Sequence, residues 1–319
     1  MIRVPDPSLP LRAVAAAAAR LREGGVVAFP TETVYGLGAL AFDPVAVARI
    51  FEIKGRPSFD PLIVHVADRE MLDYVVAEVP AAAARLIERF WPGPLTLVLP
   101  KRPELPGIVT AGLSTVAVRM PAHPLALALL EAVGAPLAAP SANPFGRPSP
   151  TRAGHVTAML GDGVDLVLDG GAASLGLEST IVSLGPPAAL LRPGALGVEE
   201  IEAVVGRLER SGTPGVISAP GQLEKHYSPR TPLRLIDPAS VPLQERRSAG
   251  ALALSESFDG YATMRVLSER GDLREAASRF FDALHDLDAR QLERIDAQPV
   301  GENGLGLAIM DRLRRAAAR

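Results

Sequence analysis

The feature that most constrains the fold is the alternation of short apolar runs with helical patterns along the first two thirds of the chain. Runs of this length are typical of buried strands, and the segments between them carry apolar side chains at helical spacing. The runs lie at residues 26–29, 62–66, 95–99, 115–120, 137–139, 164–168, 180–184 and 189–191. Strands that alternate with helices predict an α/β fold in which helices cover a sheet.

Helix boundaries are also marked, most clearly around the second predicted helix. Asp43 followed by Pro44 has the pattern of a helix start, with proline at the first helical position. Gly55 has the pattern of a helix end. These two signals predict a helix between them.

The composition changes after residue 209, which predicts a first domain over residues 1–209. Residues 210–232 are rich in proline and glycine without periodicity, as is typical of a linker. Residues 233–319 return to short apolar runs and two helical patterns, which predict a smaller α/β domain. The linker also holds the polar cluster Lys225, His226, Tyr227 and Ser228, which a passive spacer does not need.

Cysteine is absent from all 319 residues, which excludes disulfides, thiolate nucleophiles and cysteine-ligated zinc. The net charge is −3, the isoelectric point is near 6.0, and aromatic residues make up 4% of the chain. Domains that bind nucleic acids usually have an isoelectric point above about 9 and aromatic side chains for base stacking. Long polynucleotides are therefore not expected as the main ligand. The interpretation that the chain has a local basic cleft stays open.

No apolar stretch reaches the roughly 18 uncharged residues of a membrane-spanning helix. The apolar run at residues 13–19 is short and lies between Arg12 and Arg20, unlike a signal peptide. A membrane is therefore not an expected partner, and a cytoplasmic location is the default prediction.

Residues 30–38 follow the first strand run and combine several hydroxyl groups with Gly36 and Gly38. Such glycines let a ligand approach the backbone, but threonines in a turn also bond locally. Gly36, Gly38 and Ala41 have the spacing of a dinucleotide fingerprint, yet no strand ending in an acidic residue follows about 20 positions later. A dinucleotide site is therefore not predicted, while a ligand loop and a plain turn both stay open.

Lys54 and Arg56 flank Gly55 at the end of the second predicted helix. Only three of the 33 lysines and arginines are lysines, so a lysine here indicates a position that needs a compact charge. The two cations could grip phosphates, or they could complement the helix dipole. Both interpretations stay open.

Polar side chains gather at further junctions between strands and loops. His65 lies within an apolar run, where a hydrogen-bonded core histidine is the commoner interpretation. Arg119 ends a run and suits a carboxylate, while Ser141 and Asn143 follow another run. Because ligands of open α/β sheets bind beyond the carboxyl ends of the strands, these junctions favour a small anionic ligand.

Eight ordered motifs make the chain similar to a known family. They read PTETVYGLG, KGRP, PLIVHV, WPGPLTLVL, VAVRMP, APSAN, ESTIVSL and LLRPG. With them the sequence resembles the threonylcarbamoyl-AMP synthase family, in its long, two-domain form. The resemblance implies a YrdC-like twisted mixed sheet with flanking helices over residues 1–209. Because a spacer does not need the polar cluster, the linker over 210–232 is predicted to be an active-site lid that folds over the nucleotide around residues 226–229. The resemblance also implies a smaller, Rossmann-like α/β domain over 233–319.

The resemblance implies that the chain is a nucleotidyltransferase. The family condenses L-threonine, bicarbonate (or CO2) and ATP, with Mg²⁺ bridging the phosphates, to threonylcarbamoyl-AMP and pyrophosphate. A separate tRNA threonylcarbamoyl transferase complex then modifies adenosine 37 of ANN-decoding tRNAs, and direct tRNA binding is expected to be weak at most. Threonine's own amine can form the carbamate whose oxygen attacks the α-phosphate, so the protein supplies position and charge stabilisation.

The resemblance also implies a role for each site residue. The catalytic signature corresponds to Lys54, Arg56, Ser141 and Asn143. The ATP side corresponds to Arg56, Asp60, Thr115, Ser141, Ser149, Arg192 and Tyr227. The threonine side corresponds to Thr33, His65, Arg119, Ser179 and the backbone of Ala139. The family usually has asparagine where this chain has Asp60, so Asp60 is expected to contact ATP by its backbone, to face away or to help hold Mg²⁺.

Two other functions stay open. One is an RNA-binding (tRNA) module of the same fold without turnover, although the acidic net charge and the few aromatic residues count against it. The other is a carbamoyl-transfer enzyme that uses a different carbamoyl-adenylate. That relative needs further domains with zinc-type cysteines, which this chain lacks.

Overall fold

The computed structural model describes residues 9–210, 219, 221 and 223–318, and two sheets organise them. The strands are β1 (Val27–Phe29), β2 (Gly36–Leu40), β3 (Ile63–His65), β4 (Leu95–Pro100), β5 (Thr115–Arg119), β6 (Leu137–Ala138), β7 (Leu166–Val167), β8 (Thr180–Ser183), β9 (Ala189–Arg192), β10 (Glu209–Arg210), β11 (Leu233–Leu235), β12 (Ala249–Ala253), β13 (Thr263–Val266) and β14 (Arg294–Ala297). The α-helices are α1 (Leu9–Arg22), α2 (Pro44–Lys54), α3 (Arg69–Val75), α4 (Ala81–Phe90), α5 (Gly107–Thr110), α6 (Pro124–Val133), α7 (Ala153–Leu160), α8 (Val198–Val205), α9 (Leu243–Arg246), α10 (Leu273–Asp288) and α11 (Leu305–Ala317).

The larger sheet has ten strands in the order β10-β9-β8-β4-β5-β3-β6-β2-β1-β7. It is mixed, since β3 runs parallel to β5 while β6 is antiparallel to both β2 and β3. The register of β3 and β5 pairs His65 with Arg119, the last residues of both strands. The sheet therefore brings together two polar residues that are far apart in the sequence.

The predicted caps of α2 are confirmed. The Asp43 carboxylate accepts hydrogen bonds from the backbone N–H groups of Val45 and Ala46, both at 3.0 Å. Pro44 occupies the start of the helix, and Gly55 ends it with φ of 60°, in the left-handed region. Because both ends are determined locally, the residues just after α2 leave the helix in a defined direction.

Residues 36–40 correct the prediction for this segment, because they form strand β2 between β1 and β6 rather than a loop or turn. The reason is packing: a Cβ atom on Gly38 would lie 2.7 Å from the ring of Phe29. Glycine thus lets that ring lie across β2. Before the strand, Thr31 Oγ1 accepts from the N–H groups of Thr33 and Val34, both at 3.2 Å, as the turn interpretation expects.

The smaller sheet has the order β11-β14-β12-β13, and all its pairs are parallel. Its strand β14 was not predicted, because charged residues interrupt its apolar pattern. The buried carboxylate of Asp296 in that strand is paired with Arg234 at 2.5 Å and Arg294 at 3.2 Å. Paired charge of this kind can be buried within a sheet.

The two units share apolar packing. The core of the smaller unit contains the buried rings of Phe280 and Phe281 from α10. Val34 and Leu177 of the larger unit and Tyr227 of the linker belong to the same core. The division of the chain at residues 209 and 232 stays a prediction. Among the helices within the described ranges, none is long and apolar enough to cross a membrane.

A pair of glycines tests how tightly the units meet. A Cβ atom on Gly176 (φ 71°) would lie 2.5 Å from the backbone oxygens of Ala277 and Ser278, whereas one on Gly171 (φ 81°) would have nothing within 4 Å. We expect Gly171→Ala to lower the free energy of unfolding by about 1–2 kcal/mol, through left-handed strain alone. Gly176→Ala should lower it by more, since backbone atoms must also move. Urea unfolding measures both, and equal losses would contradict a tight interface.

Candidate active site

A cavity of about 50 Å³ lies where the loops after β1, β3, β5 and β6 approach the linker. Its walls combine positive side chains, hydroxyl groups and a few apolar groups. The lining residues are Thr31, Thr33, Val34, Gly36, Arg56, Ile63, His65, Arg119, Ala139, Pro140, Ser141, Glu178, Ser179, Arg192, Gly221, His226 and Tyr227. Such a lining suits a small polar ligand that carries negative charge.

Arg119 anchors one half of the cavity. Its guanidinium is buried and donates to the carbonyl of Gly93 at 3.0 Å and to Thr33 Oγ1 at 2.8 Å. It also pairs with the carboxylate of Glu32, whose other oxygen has no hydrogen-bond partner among the residues that the structure describes. The guanidinium is therefore fixed in position before any ligand arrives.

His65 stands beside Arg119 and is also buried. Burial, followed by the charge of Arg119, lowers the pKa of His65 to about 3, so the imidazole is neutral at physiological pH. Within the described part of the chain its Nδ1 has no hydrogen-bond partner, and its ring meets the Phe29 ring edge-on with centroids 6.0 Å apart. The backbone of Ile63 also interacts with the imidazole. The core interpretation and a ligand role for His65 therefore both stay predictions.

Ser179 lines the cavity beside Arg192. Its hydroxyl lies 2.7 Å from Thr96 Oγ1 and accepts from the guanidinium of Arg192 at 3.2 Å. The same guanidinium donates to the Ser179 carbonyl at 2.9 Å. Ser179 precedes β8, and Arg192 ends β9, so the antiparallel pairing of these strands holds the contact.

Arg56 anchors the second half. It donates to the carbonyls of Asp60 at 3.0 Å and Pro61 at 2.7 Å, and its guanidinium lies 2.9 Å from the Asp60 carboxylate. Burial raises the pKa of Asp60, although Arg56 opposes that shift. Asp60 is fully buried, is absent from the cavity lining and is engaged with Arg56 by both backbone and side chain. Apart from this pairing with Arg56, neither carboxylate oxygen of Asp60 has a hydrogen-bond partner within the described residues, and its expected relation to ATP stays a prediction.

Lys54 lies behind the cavity wall. Its ammonium donates to the carbonyls of Ser141 at 2.6 Å and Asn143 at 2.5 Å. Burial, followed by the charge of Arg56, lowers the pKa of Lys54 well below its ordinary value. The Asn143 amide in turn donates to the carbonyls of Pro144 and Arg147, both at 2.9 Å. Lys54 therefore holds the loop that presents Ser141.

Tyr227 closes the cavity from the linker. It is fully buried, adopts φ of 60°, and its hydroxyl has no hydrogen-bond partner among the described residues. A non-glycine residue in this conformation is costly and persists only where its surroundings hold it. His226 packs against it with ring centroids 4.1 Å apart. His226 and Tyr227 of the linker cluster thus belong to the site, whereas Lys225 and Ser228 line a separate cavity.

Two domain families match the chain. A family model described as "Telomere recombination" (Sua5_yciO_yrdC) matches residues 19–194, and one described as "Threonylcarbamoyl-AMP synthase, C-terminal domain" (Sua5_C) matches residues 196–318. A threonylcarbamoyl-AMP synthase of Pyrococcus abyssi is 44% identical over 94% of this chain and 92% of its own length. A threonylcarbamoyl-AMP synthase of Bacillus subtilis is also 44% identical, over 95% of this chain and 92% of its own length.

The chain belongs to the threonylcarbamoyl-AMP synthase family. It is an enzyme of that family, as the names of its relatives indicate. The protein in the crystal structure of P. abyssi Sua5 complexed with L-threonine has 43% sequence identity to this chain. The structural match covers 95% of this chain and 94% of that one, with a TM-score of 0.90. The YrdC-like mixed sheet and the second domain with a parallel sheet are thereby confirmed.

Of the residues assigned from the resemblance to this synthase family, nine line the cavity: Thr33, Arg56, His65, Arg119, Ala139, Ser141, Ser179, Arg192 and Tyr227. Five do not: Lys54, Asp60, Thr115, Asn143 and Ser149. Thr115 begins β5, at the end opposite Arg119, and the hydroxyl of Ser149 donates to the carboxylate of Glu178. Their proposed roles stay predictions.

Thr31, Glu178 and His226 have polar side chains that line the cavity, and the sequence analysis assigned no role to them. It also assigned none to Glu32, which pairs with Arg119 without lining the cavity. Glu32 and Glu178 stand inside the motifs PTETVYGLG and ESTIVSL, and His226 stands in the linker cluster. Their position inside those motifs was the available signal. Nothing in the sequence shows that their side chains are buried.

Lys54→Met tests whether the hidden lysine supports the site. We expect about a tenfold to hundredfold loss of synthase rate, because hydrogen bonds to charged groups contribute about 1.5–3 kcal/mol and two carbonyls lose their donor. The matched control is Lys101→Met, which removes one bond to the carbonyl of Leu105, made at 2.8 Å by a lysine that does not line the cavity. Initial rates and melting temperatures should be measured together. A wild-type rate for Lys54→Met would refute the supporting role.

Proposed function

We propose that the chain condenses L-threonine, bicarbonate (or CO2) and ATP to threonylcarbamoyl-AMP and pyrophosphate. One observation carries the proposal: the fixed cations of Arg119 and of Arg56 with Arg192 border a single cavity, which Ser179 also lines beside Arg192. Two separate anionic groups can therefore bind close together. A synthase that joins an amino acid to a nucleotide needs this arrangement.

The threonine side is proposed to lie at Arg119 and His65. The guanidinium suits the amino-acid carboxylate, because it offers paired donors in a plane. The neutral imidazole of His65 can bond the threonine hydroxyl through its unpartnered Nδ1. Thr33 and the backbone of Ala139 complete this half of the cavity.

The nucleotide side is proposed to lie at Arg56, Arg192, Ser141 and Tyr227. The threonine amine attacks the carbon of CO2 and loses a proton, which gives a carbamate. A carbamate oxygen then attacks the α-phosphorus of ATP, the bond from that phosphorus to the bridging oxygen breaks, and pyrophosphate leaves. The two arginines stabilise the charge that builds up on the phosphates, and the protein contributes position and charge rather than a base.

Mg²⁺ is proposed to enter with ATP as part of the substrate. Within the described ranges no group of three or more His, Asp or Glu side chains is arranged to hold a metal ion. Asp60, the acid beside Arg56, is paired with that arginine. We therefore propose no resident metal site within the described ranges, and no step is assigned to the ion.

Threonine-dependent release of pyrophosphate tests the proposed reaction. In bicarbonate buffer we expect release with threonine, slower release with serine and none without an amino acid. The missing methyl group should reduce kcat/KM for serine by about tenfold or more.

Arg119→Lys should raise the KM for threonine, because a lysine cannot replace a planar pair of donors.

Release that is independent of threonine would contradict the proposal. The alternative, an RNA-binding module without turnover, predicts salt-sensitive tRNA binding and no threonine-dependent release. The proposed product is expected to pass to a tRNA threonylcarbamoyl transferase complex. The net charge of −3 supports weak direct binding of tRNA at most.

The linker is proposed to act as a lid. The cavity of about 50 Å³ is much smaller than the roughly 300–1,000 Å³ of pockets that bind drug-sized ligands. We therefore expect Tyr227 and His226, which line it, to move outward when ATP binds. Limited proteolysis with and without ATP plus threonine measures that movement. We expect the substrates to change the rate of cutting within residues 210–232. Equal cutting in both conditions would count against the lid.

A further inference from the structure

One side chain of the smaller unit reaches the site. Arg312 of α11 is fully buried, and its Nε and one Nη donate to the carboxylate of Glu178 at 3.1 and 3.0 Å. Its other Nη donates to the carbonyl of Pro193 at 2.6 Å and to the carboxylate of Asp311 at 2.9 Å. All three nitrogens of the guanidinium thus donate hydrogen bonds at the junction of the two units.

Glu178 connects Arg312 with the cavity, because it contacts Arg312 and also lines the cavity. Its second carboxylate oxygen accepts from the hydroxyl of Ser149, which the resemblance places on the ATP side. Burial alone would raise the pKa of Glu178, but the charges of Arg312 and Arg192 bring it below the ordinary value. The carboxylate therefore stays charged and depends on its cationic neighbours.

Arg312 also holds the linker. Its guanidinium carbon lies 5.2 Å from the ring centroid of Tyr227, a distance typical of a cation–π contact. The same helix accepts a hydrogen bond from the N–H of His226 at the carbonyl of Arg315, at 3.3 Å. The left-handed backbone of Tyr227 is thus held from the side of the smaller unit.

We propose that Arg312 is a positioning residue, through which the smaller unit sets the nucleotide half of the cavity. By pairing with Glu178 and packing on Tyr227, it holds Ser149 and the linker where ATP binds. The inference rests on the proposed function, and it gives the C-terminal domain a part in the site. Arg312 lies outside the cavity lining, so it acts through its neighbours.

The test compares Arg312→Lys with Arg314→Lys. Arg314 lies on the same helix, but its half-exposed side chain pairs with Glu302 at the surface. A lysine at 312 keeps the charge but loses the planar fork, so we expect the KM for ATP to rise about tenfold. The KM for threonine should change far less, and Arg314→Lys should match the wild type in both.

A second variant covers the case in which a single substitution prevents folding. Glu178→Gln with Arg312→Met removes both buried charges together, which proteins often tolerate in stability. We expect this double variant to fold, to bind ATP at least tenfold more weakly and to keep its affinity for threonine. Equilibrium dialysis of ATP and of threonine measures both affinities without turnover, so the result does not depend on whether the proposed reaction occurs.

Two results would overturn the proposal. One is wild-type affinity for ATP in the double variant. The other is an equal loss for ATP and threonine in Arg312→Lys together with a lower melting temperature, because a purely structural role moves both substrates alike. Absence of threonine-dependent pyrophosphate release from the wild type would instead refute the proposed function and leave the ATP affinities to decide on Arg312.

Discussion

Desolvated positive charge, held by fixed backbone carbonyls, is the constraint on which the site depends. Arg56, Arg119 and Arg192 are all buried, and each donates to at least one main-chain carbonyl. A buried cation without partners is very costly, so these contacts determine where the surrounding loops can lie. The result is a set of donors already oriented before a ligand binds, which is how a protein stabilises developing charge most effectively.

The sheet delivers these cations from distant parts of the chain. The parallel pairing of β3 with β5 places His65 beside Arg119, and the antiparallel pairing of β8 with β9 places Ser179 beside Arg192. Strand ends are suited to this task because hydrogen-bonded neighbours define their position. The loops then need to carry only short segments from the sheet edge into the cavity.

Much of the fold could be predicted from local signals. The caps at Asp43 and Gly55 and the apolar spacing of α6, α10 and α11 have their cause within a few residues of sequence. Strands β2 and β14 could not be predicted in this way. Gly38 in β2 is explained by the ring of Phe29 on β1. Asp296 in β14 is explained by its pairing with Arg294 of the same strand and with Arg234 of β11, and this second contact crosses between strands.

The sequence by itself determined the family, the alternating elements and the residue types gathered at the strand ends. Only the tertiary structure decided which of those side chains reach the cavity. Lys54 and Asn143 stand in the same motifs as Arg56 and Ser141, yet they support the wall from behind. Motif spacing gives neighbours along the chain, whereas burial and the direction of a side chain depend on partners far along it. The pair of Arg312 with Glu178 exists only because the two units pack together.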